Sequence, residues 1–388
     1  MGSVHSKRLR IAVLNRIFRP IGGGAERYSI ALVEQLAQRH DVHVFAQQID
    51  HHWPGVTYHK VSAPFSRPRW INQLWFAFAT WWATRRGFDV VHSHENTWHG
   101  QVQTVHVLPV KYSLFHGRTG SRLALRWLKV ITSPRLLTYL LLERSRYTVH
   151  KQRIIVVTSN SLASIMALTY PLSASAVQIV TPGVLSIPAA ISSDERRDAR
   201  LLLGLPVVGR CVLFVGNDYR KKGLSALIEA MRYLPEEAYL AVVGNAAQIP
   251  GFRDEVEGGG IGKRIFFLGA LEQINDAYRA ADCLAHPTLE DTFAMVVLEA
   301  MAHGLPVVVS DARFCGISGL LTHEMNALIL ENPRDVRALA SALDRALFEQ
   351  DLTTRMTASG KLFAQAHLWS EMARKQEAIY YSALKSTS

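Results

Sequence analysis

Residues 282–311 read DCLAHPTLEDTFAMVVLEAMAHGLPVVVSD. The order is strand end, loop, helix, tight turn, strand. Cys283 to Ala285 form a short apolar run that Pro287 stops, and Thr288 to Asp291 are polar. Phe293, Val296, Val297, Ala300 and Met301 then recur at helical spacing. Gly304 and Pro306 end the helix, and Val307 to Val309 read as a buried strand closing on Ser310 and Asp311. Asp291 falls where an N-cap is expected, with Glu299 about two turns further on. Eight residues of helix rise roughly 12 Å, about the reach from the sugar to the ribose of an extended nucleotide-sugar. The N–H groups of the helix start suit phosphate oxygens. Against this stands the plain reading of a capping acid followed by an exposed glutamate.

The segments around this stretch repeat its layout. Cys211 to Val215 read as a strand, followed by GNDYRKKGL and a helix from Leu224 to Tyr233. Strands follow at Tyr239–Val243 and Ile265–Leu268, a helix at Gln273–Ala281, a strand at Ala327–Leu330 and a helix at Pro333–Phe348. This alternation predicts a parallel sheet with helices on its faces. Arg220, Lys221 and Lys222 stand between a strand and a helix start. Three such cations repel one another unless an anion joins them, which favours a diphosphate site over a solvated turn.

The first half opens in the same way. Leu9–Leu14 is a strand, Ile21–Gly24 a glycine loop, Ala25–Gln38 an amphipathic helix and Asp41–Phe45 the next strand. The glycines allow backbone approach to an anion, though they lack dinucleotide spacing, so a dinucleotide oxidoreductase is the least favoured class. Further strands read at Phe88–Ser93, Val102–Val105, Ile154–Thr158 and Val177–Thr181. His94 and His106 follow two of them, where the ligand crevice of an open α/β sheet lies. The stretch RPRWINQLWFAFATWWATRR, residues 67–86, places four tryptophans and two phenylalanines between arginines on one helix. It reads either as a buried helix or as a surface that enters lipid headgroups. From residue 116 to 153, Arg118, Arg122, Arg126, Lys129, Arg135, Arg144, Arg146, Lys151 and Arg153 face a single acid, Glu143. That is either a solvated basic face or a dock for anionic lipid or a phosphorylated acceptor.

The whole chain has 388 residues, 48% of them hydrophobic, enough for two cores. Its net charge of +11 is unevenly spread: 22 Lys and Arg against 7 Asp and Glu in residues 1–184, and 21 against 25 in residues 185–388. No nucleic-acid module accompanies the basic half. Cys211, Cys283 and Cys315 lack metal-ligand spacing and read as reduced structural thiols in a cytoplasmic protein. The longest uncharged run, Trp70 to Thr84, is too short and too polar to span a bilayer. No cleavable signal is visible at the start, where Gly2 and Ser6 match a myristoylation pattern but a leader is the plainer reading. Pro182-Gly183 and the segment Val184 to Asp198 read as a linker. The domains expected are 1–184 and 185–368, with a helix over Trp369–Leu384 in a final segment, 369–388.

Several of these stretches resemble the retaining glycosyltransferases of family four. Asp291 takes the position of that family's first signature acid, usually Glu, and Glu299-Ala300 the second; GGGAERYSIAL resembles its N-terminal loop, and Lys222-Gly223 its Lys-Gly element. Phe314-Cys315-Gly316-Ile317 is similar to an element of bacterial lipopolysaccharide core glucosyltransferases. The resemblance spans nearly the whole chain. It implies an α/β GT-B fold, two Rossmann-like doubly wound domains with an interdomain cleft, the last helix returning to the first domain. It implies a retaining hexosyltransferase that is metal-independent and needs no cofactor, with Asp291 and His106 at the reacting sugar. Gly23, Gly24, Arg220, Lys221, Lys222 and Glu299 would hold the donor. The expected partners are a nucleotide-diphosphate sugar, UDP-glucose foremost, and an anionic glycolipid acceptor such as lipopolysaccharide core, at the inner membrane face; nucleic acid is not expected. A mannosyl or N-acetylglucosaminyl transferase, a GT-B epimerase of nucleotide-sugars and a non-catalytic membrane adaptor are the alternatives.

Overall fold

The computed structural model describes residues 7–20, 23–65, 67–148, 153–257 and 260–385. Ile21 and Gly22 of the glycine loop, Lys151, and the Gly2 and Ser6 of the amino terminus lie outside them, as do residues 386–388. The chain forms two compact units, one comprising residues up to Thr181 together with those from Trp369 onward, the other Pro182–Leu368.

In the first unit, β1 (Arg10–Leu14), β2 (Ile17–Phe18), α1 (Gly24–Ala37), β3 (Asp41–Ala46), β4 (Gln48–Ile49) and β5 (Val56–Lys60) are followed by α2 (Arg69–Thr84), β6 (Val90–Ser93) and β7 (Val102–Val105). Three helices come next, α3 (Val110–Phe115), α4 (Gly120–Ile131) and α5 (Pro134–Tyr147), then β8 (Ile154–Val157), α6 (Asn160–Thr169) and β9 (Val177–Ile179). Seven strands make one sheet in the order β5-β3-β1-β6-β7-β8-β9, while β2 and β4 pair separately. Every pairing is parallel. Such strands are buried on both faces, and β6 and β7 accordingly read as wholly buried runs. Helix α14 (Trp369–Lys385) packs on α1 and β6 of this unit. Glu377 takes bonds from Arg39 and His40, and Tyr380 meets His92.

The basic stretch divides between core and surface. Arg146 is buried, bonding Gln103 and the Thr104 carbonyl, and Arg153 reaches the Ser145 and Trp98 carbonyls. These two are structural cations of the fold, and Glu143 is likewise consumed by the N–H groups of Val110 and Lys111 and by the Tyr170 hydroxyl. Helix α2 is the reverse of a buried apolar helix: Asn72, Gln73, Thr80 and Thr84 face inward and most of its aromatic rings outward.

The second unit contains α7 (Ser193–Leu202), β10 (Arg210–Gly216), α8 (Leu224–Ala230), β11 (Ala238–Gly244), α9 (Pro250–Glu257), β12 (Ile265–Gly269), α10 (Ile274–Ala280) and β13 (Cys283–His286). Next are α11 (Met295–Ala302), β14 (Val307–Ser310), β15 (Leu328–Leu330), α12 (Val336–Phe348) and α13 (Gln350–Gln365). The sheet order is β12-β11-β10-β13-β14-β15, again all parallel. Alternate residues of β10 divide between two cores. Val212 and Phe214 pack with Leu227 and Leu339 of α8 and α12, while Cys211 and Leu213 pack with Ala277 and Val297 of α10 and α11. All three cysteines are free and buried.

Three sequence expectations change here. The linker read through Asp198 gives way to α7, which Ser192 and Glu195 cap reciprocally and which Arg196 and Arg200 tie to Asp282. Its charged residues looked like linker because two of them point into that buried ion pair. Helix α12 starts at Val336, capped by Asp335, rather than at Pro333. Helix α13 (Gln350–Gln365) adds an element that the sequence expectations lack. No helix among the described residues is long and apolar enough to cross a membrane.

Candidate functional site

In each sheet the strand order reverses beside the first strand, between β1 and β6 and between β10 and β13. Loops leaving the carboxyl ends of such strand pairs are where open α/β sheets bind ligands. Arg220, Lys221, Lys222 and Asp291 stand in the loops after β10 and β13, and His94 follows β6; Glu299 lies on α11 and His106 follows β7.

In the second unit the turn after β10 carries Arg220, Lys221 and Lys222. Two glycines set the path of Lys222. Gly223 has φ +82°, and a Cβ there would lie 2.0 Å from the Pro287 carbonyl oxygen; a Cβ on Gly216 would lie 2.9 Å from Lys222 Cγ. The turn is joined to the loop after β13 by the Leu289 N–H, which donates to the Lys221 carbonyl at 2.8 Å. Lys222 Nζ then reaches Asp291 Oδ2 at 2.5 Å and the Glu290 carbonyl at 3.2 Å.

Asp291 does not cap α11. The N-cap is Ala294, left-handed at φ 72°, an uncommon conformation for a residue with a Cβ. The helix begins four residues after the acid, so the spacing between Asp291 and Glu299 is part loop, and the helical rise does not measure it. Asp291 Oδ1 instead accepts from the N–H groups of Phe293 and Ala294 at 3.2 and 2.9 Å, closing the loop on itself. Oδ2 accepts from Lys222 and meets His286 Nε2 at 3.2 Å. Burial alone would raise this carboxyl. The His286 hydrogen bond and the Lys222 charge outweigh burial and hold it well below the usual carboxylate range. Burial lowers His286 in turn, against the pull of Asp291.

The Phe314–Ile317 element works through its backbone. Asp291 N–H donates to the Phe314 carbonyl at 2.7 Å, and Gly316 N–H returns to the Asp291 carbonyl at 2.9 Å. Cys315 is fully buried, so its thiol faces the core rather than a crevice.

The three cations are not a bare cluster awaiting an anion. Lys221 pairs with Glu290, Arg220 lies 5.3 Å over the Phe252 ring, and Lys222 has Asp291. The argument from mutual repulsion fails because each charge already has a partner. Glu299, on α11, accepts from the hydroxyl of the fully buried Tyr278 at 2.7 Å, and Tyr278 stacks on His303. Sequence reading missed Tyr278, within the helix read at Gln273–Ala281, and His286, between the apolar run ending at Ala285 and Pro287.

In the first unit, Gly24 opens α1 and the Glu26 carboxylate accepts from the Gly23 N–H at 2.9 Å. His94 and His106 follow β6 and β7. Their rings stack with centroids 5.2 Å apart and share a 2.8 Å hydrogen bond, with the Tyr28 ring edge-on to His106. His92, two residues before His94 on β6, bonds the hydroxyls of Thr104 and Tyr380. Burial, then the Arg146 charge, pushes His106 down to about 3; burial, His106 and Arg146 bring His92 to about 3. The cluster is therefore uncharged near neutrality. The Nε2 atom of His94 is buried with no hydrogen-bond partner among the described residues. Beside it, Glu95 accepts from the Arg16 N–H, and burial raises its pKa.

Two doubly wound parallel sheets of this order are the Rossmann-like domains of the GT-B glycosyltransferase fold, which similar solved structures share. Residues 22–184 match the family described as Glycosyltransferase Family 4, and residues 209–349 match Glycosyl transferases group 1. The chain belongs to these glycosyltransferases. The D-inositol 3-phosphate glycosyltransferase of Xylanimonas cellulosilytica is 30% identical over 219 residues, 54% of this chain and 52% of that protein. The phosphatidyl-myo-inositol mannosyltransferase of Mycobacterium leprae is 32% identical over 212 residues, 52% and 54% of the two chains. The chain thus spans about half the length of the curated relatives it matches. Among solved structures, WaaG, a glycosyltransferase involved in lipopolysaccharide biosynthesis, superposes with a TM-score of 0.80 at 20% identity, over 95% of this chain and 99% of that one. The Anabaena protein HepE in complex with UDP-glucose gives 0.75 at 17% identity, over 97% and 100%.

Proposed function

We propose that the protein transfers a hexosyl group from a nucleotide-diphosphate sugar, UDP-glucose foremost, to a lipopolysaccharide-core or related anionic glycolipid at the inner membrane face. The anomeric configuration is retained. The bond from the sugar C1 to the diphosphate oxygen breaks as the acceptor oxygen bonds C1 on the same face. The acceptor proton passes to the departing phosphate oxygen. Charge growing on the diphosphate is met by Lys222, whose ammonium has three donors and spends two of them on Asp291 and the Glu290 carbonyl. The N-terminal end of α11 adds its dipole. No metal step is proposed, and the chain has no Asp-x-Asp sequence.

Asp291 enters this scheme as the residue that holds Lys222 in place. Glu299, kept in place by Tyr278, is assigned to the ribose hydroxyls. Gly23 and Gly24 are assigned to the donor side of the amino-terminal loop. His106, neutral and bonded to His94, is assigned to hydroxyls at the reacting sugar.

The observation that carries the reading is the Lys222–Asp291 pair, set by two glycines at the reversal of strand order. The test is a panel of UDP-, GDP- and ADP-sugars with glycolipid acceptor. The expected result is transfer from one of them and a loss of roughly 10²–10³ in kcat for Lys222→Ala. Equal turnover by wild type and variant contradicts the assignment. Conversion of the donor sugar with no acceptor present would favour an epimerase instead.

A further inference from the structure

Helix α2 wears its apolar side on the outside. Phe76 and Ala77 point in together with Asn72, Gln73, Thr80 and Thr84. Trp75, Phe78, Trp81 and Trp82 are exposed, Trp82 by 55%. Their ring centroids follow one another at 6.2, 6.0 and 6.3 Å, so they form one continuous strip. Cations close both ends of the strip: Arg67 and Arg69 before it, Arg85 and Arg86 after it, with the Arg85 guanidinium 3.4 Å over the Trp82 ring. No Asp or Glu occurs between Arg67 and Arg86.

The same character continues next door. Helix α5 packs against both α2 and α4, and α4 buries only Val130. Trp127 and Leu128 of α4 are exposed beside Arg122, Arg126 and Lys129. No acid occurs from Val110 to Leu142.

We propose that the aromatic face of α2, continued on α4, docks the protein on an anionic lipid bilayer. Tryptophan rings settle at the headgroup level, where an apolar body and a polar edge are both accommodated. The arginines at either end of the strip meet the negative surface potential and keep their charge in the headgroup layer. Both stretches lack acids and carry cations, which suits such a bilayer.

The inward side of α2 gives the docking a destination. Gln73 Oε1 accepts from Arg16 at 2.7 Å, and its amide donates to the Asn96 carbonyl at 3.0 Å. The lipid-facing strip and the loop carrying His94 are thus two sides of one helix. On the function proposed above, this brings the acceptor side of the first unit to the membrane in which a glycolipid acceptor is anchored. Lipid binding itself needs neither donor nor acceptor.

The test uses the full chain with vesicles of phosphatidylcholine alone or mixed with phosphatidylglycerol, read by co-sedimentation and by quenching of tryptophan fluorescence with brominated lipid. Binding to the anionic vesicles only, weakened by salt, is expected. Two double variants, Trp81→Ser with Trp82→Ser and Arg85→Glu with Arg86→Glu, should each lower partitioning roughly tenfold or more. Nucleotide binding by calorimetry should stay unchanged in both. Failure of the wild type to bind, or binding of both variants at the wild-type level, overturns the proposal. So does a soluble dimer that the tryptophan variant dissociates. Absent quenching overturns it without reliance on any variant. Vesicle binding lost with nucleotide binding intact strikes at this surface alone; vesicle binding intact with no transfer from any donor strikes at the proposed function alone.

Discussion

The two units place a polar cluster at the same point of the same sheet topology and give the two clusters opposite electrical character. In the first, His92, His94 and His106 are held neutral by burial, and ring stacking and hydroxyls hold them in place. In the second, Lys222 and Asp291 are only about one-fifth exposed, yet the carboxylate is driven further toward its charged form. Burial pushes both clusters toward neutrality, and the difference lies in the partners. A histidine surrounded by other histidines and an arginine gains nothing by taking a proton, whereas a carboxylate with an ammonium and two backbone N–H groups gains by losing one. One topology therefore supplies an uncharged cluster in one unit and a charged one in the other.

The comparison breaks most sharply at Asp291. Replacing it by Ala strands Lys222 in a largely buried position and frees two backbone N–H groups. We expect a loss of about 3 kcal/mol in unfolding free energy, the low end for a broken buried pair, measured by denaturant titration. A loss under about 1 kcal/mol would mean that the second cluster is no more locked than the first. Acid separates the two in the opposite sense. The folded values of His92 and His106, about 3, lie below the ordinary 6.5. Their contribution to stability is complete above 6.5 and is lost as the pH falls toward the folded values. Each such histidine costs ~1 kcal/mol per pH unit in that window. Asp291, shifted downward from the ordinary 3.8, keeps its full contribution above that value and loses it only as the pH falls below it. Melting temperatures followed from neutrality to pH 4 should fall, and His92→Gln should flatten the fall; a variant with an unchanged slope would detach the first cluster from the effect. The smallest change is expected at Lys221, whose pair with Glu290 is more than two-fifths exposed on both sides. Lys221→Ala should move stability by no more than about 0.5 kcal/mol, marking how little an exposed cation adds beside the locked one.

Much of this was open to reading in the chain itself. The apolar runs at Cys283, Val307 and Tyr239 announced parallel strands because such strands are buried on both faces and need no alternation. Gly223 announced a turn, and Lys222 a cation at its edge, which the structure pairs with Asp291. Geometry hidden from periodicity was not legible. Asp291 looked like a cap because an acid before an apolar period usually is one; its bonds to the N–H groups of Phe293 and Ala294 close a loop ahead of the helix instead. Partners distant in sequence were also out of reach. Tyr278 finds Glu299 across 21 positions, and His286 reads as strand until its ring is seen to reach Asp291. Helix α2 stays open in sequence for a related reason, since an aromatic-rich period shows that a helix has two faces without showing which one turns inward.

Helix α14 belongs to the first unit, although it follows the whole of the second in sequence. Tyr380 covers His92, Met372 meets Thr181, and Glu377 holds Arg39 and His40. A ribosome emitting this protein therefore delivers every residue of the second unit before the first can be sealed. The first sheet must wait, with His92 uncovered, until the second unit has emerged. A chain cut short before Trp369 would strand the amino-terminal half unfinished while leaving its later neighbour whole.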